Sequence, residues 1–213
     1  MPLIIPANSI TGGYEVANSL RFNSGSSDSL SQTQSSGETK KFTYSCWFKK
    51  NRDLGSSDQD PIFTVGDNNT NDFLLYFQQA EDIIDIIVRD SSTIRGRLTT
   101  NRKFRDYSAW MHIVFAYDST NATAGNRMRL YINGVEETSF STDTNPCLNQ
   151  TTVVNNSSYT MRIGRLRTDS GHISGYLAEC VLIDGTALDP TSFGEFDEDS
   201  GIWKPIDVSG LTF

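Results

Sequence analysis

Eleven short stretches of β-branched and aromatic residues, each closed by a cluster of Gly, Asn, Asp or Ser, set the first limit on how this chain can fold. They run over 19–23, 42–49, 61–65, 73–78, 83–89, 94–98, 111–117, 128–132, 135–140, 159–164 and 176–183. Between them lie SGSSD, GSSDQDP, GDNNTND, DSTNATAGN and NNSS, residues that turn a chain by accepting left-handed φ or by bonding their own backbone. Many short strands at near-regular spacing predict a sandwich or a barrel.

Residues 127–136, RMRLYINGVE, predict a hairpin. Met128, Leu130 and Ile132 fall on one face and Arg129 and Tyr131 on the other, the period of a half-buried strand. Asn133-Gly134 tolerates the positive φ of a two-residue type I′ turn. In the tightest register Glu137 falls opposite Leu130 and shares its face, so either the turn is looser or the return strand bends early. In 111–117, Met111, Ile113, Phe115 and Tyr117 alternate with His112, Val114 and Ala116, which places this strand mid-sheet. The one helical signal is Asp189 as cap with Pro190 in the first helical position, before Gly194.

The 213 residues suit one all-β domain. A hydrophobic share of 37% fits short strands joined by polar loops. The net charge of −8 argues against nucleic acid as a partner, and against anionic membranes, because both reward clustered Lys and Arg. No window approaches the ~20 apolar residues of a membrane span, and the start, MPLIIPANSI, lacks the basic region of a signal peptide. Cys46 and Cys180 lie in strand-like runs and are read, without CxxC spacing, as reduced core residues made in a cytosol. Beyond residue 185 the chain turns acidic, which predicts a solvated segment after the last strand. Trp203 there has two readings, packing back on the sandwich or anchoring a neighbour. The apolar ending, IWKPIDVSGLTF, predicts that the natural polypeptide continues past Phe213.

The pieces ANSLRFNSGSSDSLS, FTYSCWFKK, PIFTVGD, WMHIVFAYD with RMRLYINGVEE, MRIGR and GYLAECVLIDGTALDPTSFGEF occur in this order across roughly residues 17–196. In order and spacing they resemble the concanavalin A-like lectin/glucanase superfamily, in particular its laminin-G-like and pentraxin-like branch. The resemblance implies an all-β fold, a two-sheet antiparallel jelly-roll sandwich with one short helical turn near the C-terminus. It divides the chain into an N-terminal arm, 1–16, the jelly roll, 17–196, and an acidic extension, 197–213. More narrowly, IDGTALDPTSFGEFDEDSGIWKP is similar to virion structural proteins of marine tailed phages. That likeness implies a place on the virion surface, after synthesis in the bacterial host cytoplasm.

A glucanase of this superfamily would carry E-x-D-x-x-E, with two carboxylates about 5 Å apart for a retaining mechanism. The nearest string, EFDEDS at 195–200, has Ser200 in place of the second Glu. His112 is read as a packed, hydrogen-bonded histidine, and nothing marks a nucleophile beside it. The expectation is therefore a protein that is not an enzyme.

Calcium needs about six to eight oxygens, and many relatives of this branch hold one at a loop edge. GDNNTND offers Asp67, Asn69 and Asp72, with Asp118 a weaker addition; an Asx-rich turn capping its own backbone is the competing reading. Glycan-binding candidates are Tyr107 as a ring platform, with Asp67, Asn69, Asp72, Arg165, Arg167, Asp169 and His172 gripping hydroxyls. Trp47, Trp110 and Phe115 are assigned to the core.

These readings predict a non-enzymatic phage structural protein, a head fibre, capsid decoration or tail appendage. Its partners are other virion proteins and copies of itself, with Leu3, Ile4, Ile5 and Pro6 forming an apolar attachment arm. The alternative is a calcium-assisted lectin for host surface polysaccharide.

Overall fold

The computed structural model describes residues 14–51, 59–67, 69–78, 81–168 and 170–212. The arm residues Leu3, Ile4, Ile5 and Pro6, and Asp169 of the glycan set, lie outside the described residues. Along the chain run β1 (Leu20–Phe22), β2 (Leu30–Thr33), β3 (Lys41–Lys50), β4 (Asp60–Gly66), β5 (Asp72–Phe77), β6 (Ile84–Asp90), β7 (Thr93–Thr100), β8 (Met111–Asp118), β9 (Met128–Ile132), β10 (Val135–Glu136), β11 (Phe140–Thr144), β12 (Thr160–Ile163), β13 (Gly175–Asp184), β14 (Gly194–Phe196) and β15 (Trp203–Pro205). Two antiparallel sheets face each other, one of six strands ordered β1-β13-β3-β8-β9-β10 and one of seven ordered β11-β7-β6-β5-β4-β12-β2. This is the two-sheet jelly-roll sandwich expected from the sequence.

Period-two alternation builds the core. Phe42, Tyr44, Cys46 and Phe48 of β3 and Ile113, Phe115 and Tyr117 of β8 meet Phe63, Phe73, Leu75 and Phe77 of the opposite sheet, all essentially inaccessible to water. Tyr44 stacks on Phe63 at 4.3 Å, and Phe42 meets Phe73 edge-on at 5.4 Å. Such offset and edge contacts add to the area they bury.

β8 is central, between β3 and β9, and buried on both faces. Its outer face is covered by the C-terminal segment: Phe193, Val208 and Leu211 pack on Val114, Ala116 and Tyr131. The acidic extension therefore does not run free after the last strand of the sandwich. β14 and β15 pair as a hairpin, and Trp203 is buried against Trp47 and Ala178. Of its two readings, packing back on the sandwich holds.

The Asn133-Gly134 turn is tight, with φ of 51° and 78° and Val135 opposite Ile132. The return strand bends away after Glu136, and the amide of Glu137 donates to the Leu130 carbonyl at 2.8 Å. The strand expected over 135–140 is thus two strands, and the second, β11, belongs to the other sheet. Gly134 is required twice over, because a Cβ there would also strike the Trp203 ring.

At Asp189 the structure corrects the sequence reading: its side chain makes no capping bond, and the helix is one 3-10 turn, Pro190–Ser192. Cys180 is corrected too. The register slips between Ala178 and Val181, and Glu179 takes a φ of 49°. The bulge leaves Cys180 partly open to solvent, with its thiol against Cys46 and Tyr44, while Cys46 is buried.

Candidate functional site

Several residues singled out in the sequence converge at one corner of the seven-stranded sheet. Asp67 and Asn69 are exposed in the β4–β5 turn, and Asp72 begins β5 fully buried. Residues 164–168 lie against 170–173: Leu166 and Gly171 bond through their backbones at 3.1 Å, and Arg165 bridges His172. Leu166 seals the loop onto Leu74, Tyr76 and Ile87. Arg167 lies 3.0 Å from Asp72 Oδ2 through Nε, Arg89 bonds the same oxygen, and Asn69 accepts from Arg167.

Burial pushes the Asp72 carboxyl above its ordinary range, outweighing the two arginines, and pushes Arg167 down. The corner is an internal ion-pair network that pins a loop. Its two guanidiniums both stand against Asp72 Oδ2. Among the described residues no cluster of three or more His, Cys, Asp or Glu is placed to hold a metal. Asp118 lies in the other sheet and accepts from Thr120 at 2.6 Å and 3.0 Å. Farther along the outer face, Asp85 is fully buried and takes Tyr76, Thr99 and both ends of Arg97 at 2.7–3.0 Å.

A different place is open. On the outer face of the six-stranded sheet, a cleft of about 280 Å3 is walled by Val16, Ala17, Trp47, Trp110, Ala178 and Pro205, with Asn18 and Ser19 at its rim. Trp110 is 37% exposed, so its assignment to the core is corrected. Its ring meets Tyr176 edge-on at 6.5 Å.

The loop leading into it, 101–110, is firmly posted. Lys50, wholly buried at the end of β3, places Nζ 2.5 Å from Asp82 and 3.3 Å from the Phe104 carbonyl. The Phe104 amide bonds the Asp82 carbonyl at 2.8 Å, and Tyr107 lies 5.4 Å from Lys50 Nζ. Asp106 closes the last turn by accepting from Ser108 and Ala109, bonds that hold its carboxyl below the usual range. Tyr107, the ring singled out in the sequence, lies in the loop that leads to this cleft, and Trp110 is the ring of that loop that lines it. The available signal was position: Trp110 precedes β8 and ends a polar loop.

Residues 22–191 match the laminin-G-type family model of the concanavalin A-like lectin/glucanases superfamily. The chain belongs to this superfamily. Among solved structures, this superfamily member resembles the mouse laminin α1 chain, domains LG4-5, with a TM-score of 0.57, 14% identity, and coverage of 94% of this chain and 47% of that one. It also resembles a mutant of NanB sialidase from Streptococcus pneumoniae, with a TM-score of 0.54, 13% identity, and coverage of 85% and 29%. A third likeness is to domain 4 of AbnA, an extracellular arabinanase from Geobacillus stearothermophilus in complex with arabinotriose, with a TM-score of 0.51, 18% identity, and coverage of 72% and 65%. At these identities the likeness is one of fold, and the chain matches less than two thirds of each of these three. No curated protein matches the chain by sequence.

Proposed function

We propose that the protein is a non-enzymatic, lectin-like module displayed on a bacteriophage particle, and that it engages host surface polysaccharide at the cleft beside Trp110. The observation that carries the site is the half-exposed indole standing over an open cleft with apolar walls and amide and hydroxyl groups at its rim. An indole face covers the C–H side of a sugar ring, and a few convergent polar groups fix its orientation. Arabinotriose bound by a domain of the same fold supports the reading.

The non-catalytic part of the reading is supported by EFDEDS. Lys204 clamps Glu195 at 3.4 Å and Asp197 at 3.0 Å, and Asp197 closes its own turn by accepting from Ser200. These bonds hold the Asp197 carboxyl well below its ordinary value, the opposite of what a general acid needs. The particle setting rests on the likeness of residues 183–205 to virion structural proteins. Residues 1–16 are then the attachment arm, to other virion proteins or to further copies of the chain.

Glycan-array binding by the wild type should be lost in Trp110→Ala, and a variant that binds unchanged removes the cleft as the site. Loss of binding on adding a chelator would bring calcium into the account. Antibodies against the domain should label intact particles, and deletion of residues 1–12 should leave a soluble domain that no longer joins them. Unlabelled particles, or undiminished assembly, overturn the setting and the arm respectively.

A further inference from the structure

Trp110 has a second side. Across it from the apolar cleft lies a depression of about 170 Å3, walled in part by Arg102, Lys103, Arg105, Asp106 and Asn133. The chain carries a net charge of −8, yet residues 102–105 place three cations in four positions. Four cations gather here, Lys50, Arg102, Lys103 and Arg105, against three carboxylates, Glu81, Asp82 and Asp106. Lys103 is held by Glu81 at 2.6 Å, and Asp82 is shared between Lys50 at 2.5 Å and Arg105 at 3.6 Å. Asp106 is turned into its own loop.

The cation left over is Arg102. It makes no ion pair among the described residues, and its guanidinium lies 5.1 Å from the Phe104 ring. Phe104 is buried and tied to Asp82, so the contact holds the guanidinium on a fixed support at the wall of the depression. A planar guanidinium so placed meets a carboxylate with two parallel bonds.

Resting on the reading of the Trp110 cleft as a glycan site, we infer that the depression beside it is a subsite for the carboxylate of an acidic saccharide. The sugar ring lies against Trp110 and its carboxylate meets Arg102. The class of ligand is therefore a polyuronate or another carboxylated polysaccharide.

The test compares a polyuronate oligosaccharide with its carboxyl-reduced, neutral counterpart, titrated into the wild type, Arg102→Gln and Trp110→Ala at low and high salt. The wild type should prefer the acidic form by about tenfold, the value of one charge-assisted contact. Arg102→Gln should abolish that preference while keeping the neutral affinity, and salt should weaken only the acidic form. Equal affinity for both forms, unchanged in Arg102→Gln but lost in Trp110→Ala, overturns the acidic subsite and leaves the glycan cleft standing. Binding of neither form, or binding untouched by Trp110→Ala, overturns both.

Discussion

Trp203 Nε1 donates a 2.9 Å hydrogen bond to His112 Nδ1, joining the C-terminal hairpin to the middle of the six-stranded sheet. An indole nitrogen can only donate, so Nδ1 must accept and the imidazole proton sits on Nε2. That proton is directed at Ser45 Oγ, 2.8 Å away. The Trp47 ring stacks on the imidazole at 4.8 Å and Trp203 at 6.0 Å. His112 is thus a clasp between sheet and hairpin, and its buried pairing with Ser45 has no room for a substrate.

Trp203→Phe keeps a ring but removes the donor, leaving Nδ1 buried without a partner. Stability should fall by ~1–3 kcal/mol, the cost of an unsatisfied buried acceptor, in urea denaturation. An unchanged midpoint would mean that the bond contributes nothing.

Burial holds the His112 pKa down to about 3, against about 6.5 in an unfolded chain. With a depressed folded value, the unfolded state takes up the extra proton. Stability is full above pH 6.5 and is lost as pH falls from there toward 3, by up to about 1.4 kcal/mol per pH unit from this group. Nitrogen-15 NMR should show a neutral Nε2–H tautomer down to pH 5. An imidazolium signal at pH 6 in the folded protein would refute it.

Lys50 and Asp82 form a buried pair beneath the loop that carries Trp110. Asp82→Asn, which keeps the left-handed φ of 54°, should cost about 3–5 kcal/mol by stranding a buried ammonium, whereas adding Lys50→Met should recover most of the loss. A double variant as unstable as the single one would show that packing, not charge, is what the site needs.

The thiols report on burial along β3 and β13. Cys147 and Cys180 are exposed and should react with a maleimide in the native state. Cys46 should react only on unfolding, because burial raises its thiol pKa well above the ordinary value. Protection of Cys180 would show that its contact with Cys46 and Tyr44, not its exposure, governs the thiol.

The sandwich was legible because alternation is a local property, and the strands from β3 to β9 show it within a few residues of their observed limits. Elements whose burial comes from elsewhere were not legible. β2, with the sequence LSQT, has no apolar face and exists because it pairs with β12. β14 and β15 are three residues each, and their hairpin depends on Trp203 finding Gly134 and Gly194, far away and close in sequence respectively. Asn69 and Asp72 on the one hand and Arg167 on the other were separate glycan candidates in the sequence, and composition could not show that they would bond one another in a single ion-pair network. Trp110 was missed because an indole at the start of an apolar strand reads as core unless the covering segments are known.

The most direct test is the position of a bound oligosaccharide, determined in a crystal of the complex. A sugar ring should lie on the Trp110 indole, between Pro205 on one side and Arg102 on the other. A saccharide seated instead at Asn69 and Arg167, with Trp110 left to solvent, would contradict it.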